Sequence, residues 1–276
     1  MNKADFYYKE NLKKILNEGC WDKNPRPKYK DETPAHTKFI TQVFEEYDIN
    51  KGEFPIPTLR NTAIKTGIKE IMWIYQKQTS SLDIAHQMGI NWWDEWDIGN
   101  LNIGQRYGAT IKKYNLMNNL LNGLEKEPFS RRHIINMYQY DDFNETSGLY
   151  PCAYETIWSV RENNNNLILD LTLIQRSNDY IMAGYINKIQ YVVLQMMVCG
   201  HLGYKPGKFC HFVENLHIYD RHFDALEEIL NKNSLNIQPI IILKENKNFY
   251  DYNINDFEII GIENIPKINS TLELAI

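Results

Sequence analysis

Pro151-Cys152 and Gln175-Arg176-Ser177-Asn178-Asp179 hold the residue types from which a reactive centre could be built. A cysteine attacks as its thiolate, and a neighbouring guanidinium stabilises that form. Arg176 with Ser177 would also make a phosphate clamp, a planar fork of donors beside a hydroxyl. A lone cysteine is more often a small buried hydrophobe, so the pairing of Cys152 with Arg176 carries the argument.

Two strands would create that pairing. Tyr154, Thr156, Ile157, Trp158 and Val160 suit a pleated, half-buried strand, and Pro151 suits its entrance. A polar turn segment, Arg161 to Asn166, follows. Leucine then takes every odd position from Leu167 to Leu173, the period of a strand with one buried face. The hairpin would return Arg176 to Cys152. Past it, Asn187 opens an almost uniformly apolar segment through Leu202, a helix buried in the core and stopped by Gly203. A carboxamide at the mouth of such a helix offers one donor and one acceptor to a ligand.

Asn91-Trp92-Trp93-Asp94-Glu95-Trp96 is either core packing or a flat wall for an aromatic ligand. Cys199-x-His201 with Cys210-His211 invites a zinc reading. Two residues apart on a helix point in different directions, and paired-cysteine spacing is missing, so no metal is expected. Asn2 to Glu18 has helical spacing, as has Leu59 to Gln78. Asp22 to Pro34 reads as a loop, and His36 to Tyr47 fits helix or strand. Ile240 to Leu243 and Phe257 to Ile262 read as later strands.

The 276 residues are 43% hydrophobic and carry a net charge of −5, which suits a globular core and argues against a general nucleic-acid binder. Four cysteines without framework spacing, and no secretory signal, imply reduced thiols and a cytoplasmic location. No apolar run approaches a membrane span.

The motifs together resemble the folate-dependent thymidylate synthase family, which includes pyrimidine-nucleotide hydroxymethylases. The likeness rests on Pro151-Cys152 with Tyr154-Glu155-Thr156, Gln175-Arg176-Ser177-x-Asp179, Asn187 and His217-Ile218-Tyr219. Trp93-Asp94-Glu95-Trp96, Arg131-Arg132-His133-Ile134 and Ala275-Ile276 match as well, so it runs from about Arg26 onward. It implies an α/β (α+β) thymidylate-synthase-like fold over residues 1–276 as a single catalytic domain. A large mixed sheet with packed helices would mediate a homodimer. It favours strand for His36 to Tyr47.

The resemblance also implies the chemistry. Cys152 would attack C6 of dUMP, and C5 would capture the one-carbon unit of 5,10-methylenetetrahydrofolate. Hydride from the same folate would complete dTMP. Glu70 matches the carboxylate that relays protons, and partial burial would raise its pKa. Tyr107 matches a tyrosine near the nucleophile, and Asp179 joins the catalytic set. Arg26 and Ser177 match phosphate ligands; Arg131 and Arg132 match a pair that binds the phosphate of the partner subunit. Asn187 marks a uracil reader, and His217 with Tyr219 a clamp on the 3′-hydroxyl. Folate would meet Arg60 at its glutamate tail and Trp92, Trp93, Leu149, Asp179, Ala183 and Ile186 along its rings. Ala275-Ile276 would close over it.

Departures fall on the folate side. Met182-Ala183-Gly184-Tyr185-Ile186-Asn187 stands where the family usually reads Leu-Gly-x-Pro-Phe-Asn, and Glu214-Asn215 replaces Gly-Asp. Two alternatives stay open: trapping of the intermediate by water, giving 5-hydroxymethyl-dUMP, and a non-catalytic nucleotide-binding homodimer.

Overall fold

A computed structural model describes residues 2–276. Helix α1 (Lys3–Glu18) starts where the Asn2 side chain accepts the Asp5 amide at 2.8 Å, and it buries Ala4, Tyr8, Leu12 and Ile15. Strands β1 (Cys20–Trp21) and β2 (Thr37–Asp48) flank the 22–34 loop. Helices α2 (Ile64–Met72), α3 (Leu82–Gln87), α4 (Gly108–Lys113) and α5 (Leu116–Lys126) precede β3 (Ile134–Asn136) and α6 (Tyr140–Glu145). Strands β4 (Ala153–Asn163), β5 (Asn166–Gln175) and β6 (Asn178–Asp179) then lead to α7 (Gly184–Leu202) and β7 (Lys205–Tyr219). Helix α8 (Phe223–Asn231) and strands β8 (Ile240–Leu243) and β9 (Phe257–Ile260) end the order.

Seven strands form one mixed sheet in the order β1-β2-β7-β5-β4-β3, with β6 beside β7. Only β5 and β6 run parallel to β7. The β4–β5 hairpin turns on Asn164 and Asn165, both left-handed at φ 48° and 59°, a conformation that asparagine tolerates. The strand expected over His36 to Tyr47 is β2, and β8 with β9 forms a separate antiparallel pair.

The helix expected over Leu59 to Gln78 is shorter and changes its winding. It begins at Ile64, widens to a π-helix over Trp73–Lys77 and ends where Gln78 turns left-handed at φ 52°. Leu59 to Ala63 stay outside it, with Arg60 donating to the Ile181 carbonyl. Helix α7 is buried on all sides as expected, and Gly203 ends it at φ 72°. It also buries Lys188, Gln190 and Gln195, each kept by a specific partner or site. Gln195 donates to the carbonyls of Leu169 (2.8 Å) and Lys208 (3.1 Å), where the β5–β7 register slips. Lys188 Nζ lies 3.0 Å from Glu45 and over the rings of Tyr180 and Tyr185.

The helices cover one face of the sheet. On the other, β2 turns Gln42, Phe44 and Glu46 outward and β7 turns Lys208, Cys210, Phe212 and Glu214 outward; Phe44 is 53% exposed. Gln42, at φ 60°, lies opposite Glu214 between the pairs Thr41–Asn215 and Val43–Val213, and its Nε2 donates to the Glu214 carboxylate at 2.9 Å. No described helix is long and apolar enough to cross a membrane.

Gly108 sets how closely α4 approaches the turn after the π-helix. A Cβ there would lie 2.5 Å from the Thr79 carbonyl oxygen and 2.6 Å from its nitrogen, both backbone atoms that yield little. Gly108→Ala is therefore expected to destabilise the fold by about 2 kcal/mol. Thermal unfolding checks this, and an unchanged Tm would contradict the close approach.

Candidate active site

The hairpin brings Arg176 to Cys152. The Arg176 amide donates to the Cys152 carbonyl at 2.9 Å, which closes the strand ends together. Its guanidinium then folds back along the preceding segment. Nε donates to the Pro151 carbonyl at 3.0 Å, Nη2 donates to the Tyr150 carbonyl at 2.7 Å, and Nη2 stands 3.5 Å from Cys152 Sγ. Across β4, Tyr154 is the extra residue in a register shift between Ala153 and Glu155, a bulge that bends the strand just after the cysteine. The Cys152 amide donates to the Tyr107 hydroxyl at 3.1 Å, and Tyr107 itself holds φ 46°. A non-glycine residue in that conformation is strained and is retained by its surroundings.

The electrostatics differ from the simple expectation that arginine makes a thiolate. Burial pushes the Cys152 thiol up, and the charges of Arg176 and Arg26 pull it down without prevailing. The balance favours the thiol form, so any reaction at this sulfur would require its proton to leave. Glu70 follows the same physics further. Burial pushes its carboxyl up to about 7, against the pull of Gln190, Trp92 and Trp93. Of these, the Trp92 indole donates a direct hydrogen bond to the carboxylate. Burial holds His217 below the usual histidine range, and its Nδ1 meets Asn215 Oδ1 at 3.1 Å.

Several expected residues line one cleft of about 480 Å³, Arg26, Trp96, Leu149, Arg176 and Ile276, and Tyr150 joins them. Ile276 reaches it because its backbone pairs with Lys28 in both directions, at 2.8 and 3.0 Å, and Ala275 packs beside Tyr29, Ala35 and Tyr219. Arg221 ties the same segments by bonding Glu273 (2.8 and 2.9 Å) and Asp31 (2.7 Å). His217 and Tyr219 stand edge to face at the end of β7. Asp179 Oδ1 accepts the Met182 amide at 3.0 Å.

Other expected residues are placed differently. Arg60 is buried against the Ile181 and Asn61 carbonyls and does not line the cleft. Trp93 is mostly buried among Trp73, Trp96 and Tyr107, so Trp96 is the indole on the cleft. Ala183 is the residue before α7, and Ile186 packs beside Gly67 of α2. Arg131 and Arg132 are exposed and border a different hollow of about 420 Å³ with Glu127, Pro128, Phe129 and Ser130. Of the zinc candidates, His201 accepts the Phe249 amide and His211 faces Gln175.

Reading the sequence missed the support around Asn187. Its Oδ1 accepts from Gln175 (3.1 Å) and Asn178 (3.2 Å), and its Nδ2 donates to Gln190 Oε1 at 3.0 Å. The available signal was polarity out of place: Gln175 on a buried strand face and Gln190 inside an apolar helix.

The raised pKa of Glu70 makes stability depend on pH. An acid whose folded pKa stands above its unfolded one stabilises fully below the unfolded value, 4.5, and loses that contribution as pH rises through about 7. Ionising it within the fold costs roughly 3 kcal/mol. Glu70→Gln should therefore gain stability relative to the parent by roughly 2–3 kcal/mol between pH 4.5 and pH 8. Denaturant titrations across that range measure it; a difference independent of pH would contradict the burial effect.

Comparison with known proteins accords with this site. A family model described as thymidylate synthase matches residues 6–274. The chain is 49% identical to a thymidylate synthase of Lactococcus lactis subsp. lactis (strain IL1403) over 280 residues, covering 100% of both chains. It is 46% identical to one of Streptococcus pneumoniae (strain 70585), again covering 100% of both. Among solved structures, a thermostable thymidylate synthase A from Bacillus subtilis superposes with a TM-score of 0.90 at 32% identity, covering 99% of each chain. The chain therefore belongs to the thymidylate synthase family.

Proposed function

We propose that this chain, acting as one catalytic unit over residues 1–276, converts dUMP to dTMP with 5,10-methylenetetrahydrofolate. The observation that carries the reading is the 3.5 Å approach of Arg176, which lines the cleft, to the sulfur of Cys152, in a chain of this family. Arg176, Ser177 and Arg26 hold the phosphate, His217 and Tyr219 the 3′-hydroxyl, and Asn187 the edge of the base. Cys152 Sγ bonds to C6 of the uracil, and the electron pair of the C5–C6 double bond moves toward C5 and O4. Covalent attack divides one hard substitution into easier steps. Glu70, with a carboxyl near neutrality, exchanges protons with the pyrimidine.

The folate fits the apolar part of the cleft, where Trp96 and Leu149 offer flat and greasy surface opposite Ile276. When bound it supplies the one-carbon unit and the hydride. Trp93 supports this wall from behind, Trp92 steers Glu70, and Asp179 offers a carboxylate at its edge. Ala183 and Ile186 frame the start of α7. Ala275 and Ile276, already strapped to Lys28, keep water from the reacting carbon.

The expected product is dTMP with dihydrofolate, and Cys152→Ala should abolish turnover while dUMP binding stays within roughly tenfold, since phosphate and base contacts persist. Mass spectrometry of the nucleotide identifies the product. Predominance of 5-hydroxymethyl-dUMP, or continued turnover by the alanine variant, would overturn the reading.

The second part of the proposal is a homodimer built on the open sheet face. Phe44, Phe212 and Ile157 leave apolar surface there beside charged neighbours, and an isologous pairing would bury it. Arg131 and Arg132, exposed and apart from Cys152, would then reach the phosphate of the partner subunit. Mixing inactive Cys152→Ala chains with inactive Arg132→Glu chains should restore activity, because one site of the hybrid receives both intact residues. No recovery after verified subunit exchange would contradict shared sites.

A further inference from the structure

Beneath the residue that reads the base, the structure holds a run of amides whose direction is set at one end by the backbone. The Ser177 carbonyl accepts Gln175 Nε2 at 3.0 Å, and a carbonyl can only accept. Gln175 Oε1 must therefore face His211, whose Nε2 donates to it at 2.9 Å. The other Nε2 hydrogen of Gln175 goes to Asn187 Oδ1, which fixes Asn187 Nδ2 toward Gln190 Oε1 at 3.0 Å. Each amide is thereby prevented from flipping. The run ends at Gln190 Nε2, a donor on a side chain only 2% exposed and without a partner among the described residues.

Gln190 faces α2 across Gly67. A Cβ on Gly67 would lie 3.5 Å from Gln190 Cγ, and Glu70 is one helical turn beyond Gly67. The free donor thus lies in the space between Asn187 and the Glu70 carboxyl. We propose that Gln190 is a positioning residue that ties the base-reading amide of Asn187 to the proton-exchanging carboxyl of Glu70, so that one side chain orients both. The inference rests on the function proposed above. It explains the presence of a glutamine in a helix packed mostly with apolar side chains, at the cost of desolvating an amide.

The groups facing Glu70 are few. From α7 comes Tyr191, whose phenol is hydrogen-bonded by Tyr75 at 3.4 Å and is itself held above the ordinary range. From the segment after α3 come the indoles of Trp92 and Trp93, and Gln190 completes the surroundings. On α2, Lys65 is exposed and Lys69 reaches toward Gly89. Loss of the Gln190 donor leaves the carboxyl with less support for its charged form.

Two variants separate this role from packing. Gln190→Met keeps length and volume but neither accepts nor donates as an amide does. Its dCMP-to-dUMP ratio of Kd should fall roughly fivefold, the worth of one hydrogen bond. The Glu70 limb of its pH–rate profile should move up by about half a unit. Gln190→Glu retains an acceptor for Asn187 while setting carboxyl against carboxyl. It should keep the parent's nucleotide ratio and still shift the pH profile upward.

Equilibrium binding gives the ratios without turnover, and thermal unfolding shows which variants are folded. Equal weakening toward both nucleotides with an unmoved pH profile, in either folded variant, would overturn the positioning role. Failure of the parent chain to consume dUMP would instead overturn the function on which it rests.

Discussion

The fold-back of Arg176 onto the Tyr150–Cys152 segment is the constraint on which the site depends. One residue closes the β4–β5 hairpin at its open end with its backbone amide, and its side chain fills two carbonyls and still presents a nitrogen 3.5 Å from the sulfur. A lysine could not make these contacts together, because they use the planar fork of a guanidinium. The bulge at Tyr154 and the strained Tyr107 complete the arrangement from the other side, so that Cys152 is fixed by its backbone while its sulfur makes only the long contacts to Arg176 (3.5 Å) and the Tyr150 carbonyl (3.9 Å). The thiol is left unbridged and partly exposed while its neighbours are tied elsewhere.

Burial then sets the protonation states. It outweighs two guanidinium charges at Cys152 and brings Glu70 to about 7. A dry site thereby stores a neutral thiol and a carboxyl able to give or take a proton near neutral pH. The same burial demands that the amides around Asn187 be directed, which the Ser177 carbonyl does through Gln175.

The strands, the buried helix and the Cys152–Arg176 meeting were legible because they follow from periodicity and from a short hairpin. The Asn164-Asn165 turn was foreseen only as a polar stretch, since its two left-handed residues appear when the register is known. Trp93 and Trp96 could not be told apart by sequence, because which indole faces the cleft depends on the packing of Trp73 and Tyr107. Arg60 was expected at the folate's glutamate tail; the Ile181 carbonyl, which takes it up, lies over a hundred residues away. His211, Gln175 and Gln190 belong to three elements and share no local motif, so only the fold joins them. The Arg221 ties to Asp31 and Glu273 were hidden for the same reason.

The central claim is that Cys152 is the atom-bonding nucleophile, and covalent trapping tests it most directly. A dUMP analogue with fluorine at C5 has no proton to surrender there, so an adduct formed with methylenetetrahydrofolate should stall. Intact mass spectrometry should show one nucleotide and one folate added per occupied site, and peptide mapping should place the bond on Cys152. A fully occupied complex without added mass, or an adduct on Cys20, Cys199 or Cys210, would contradict the account.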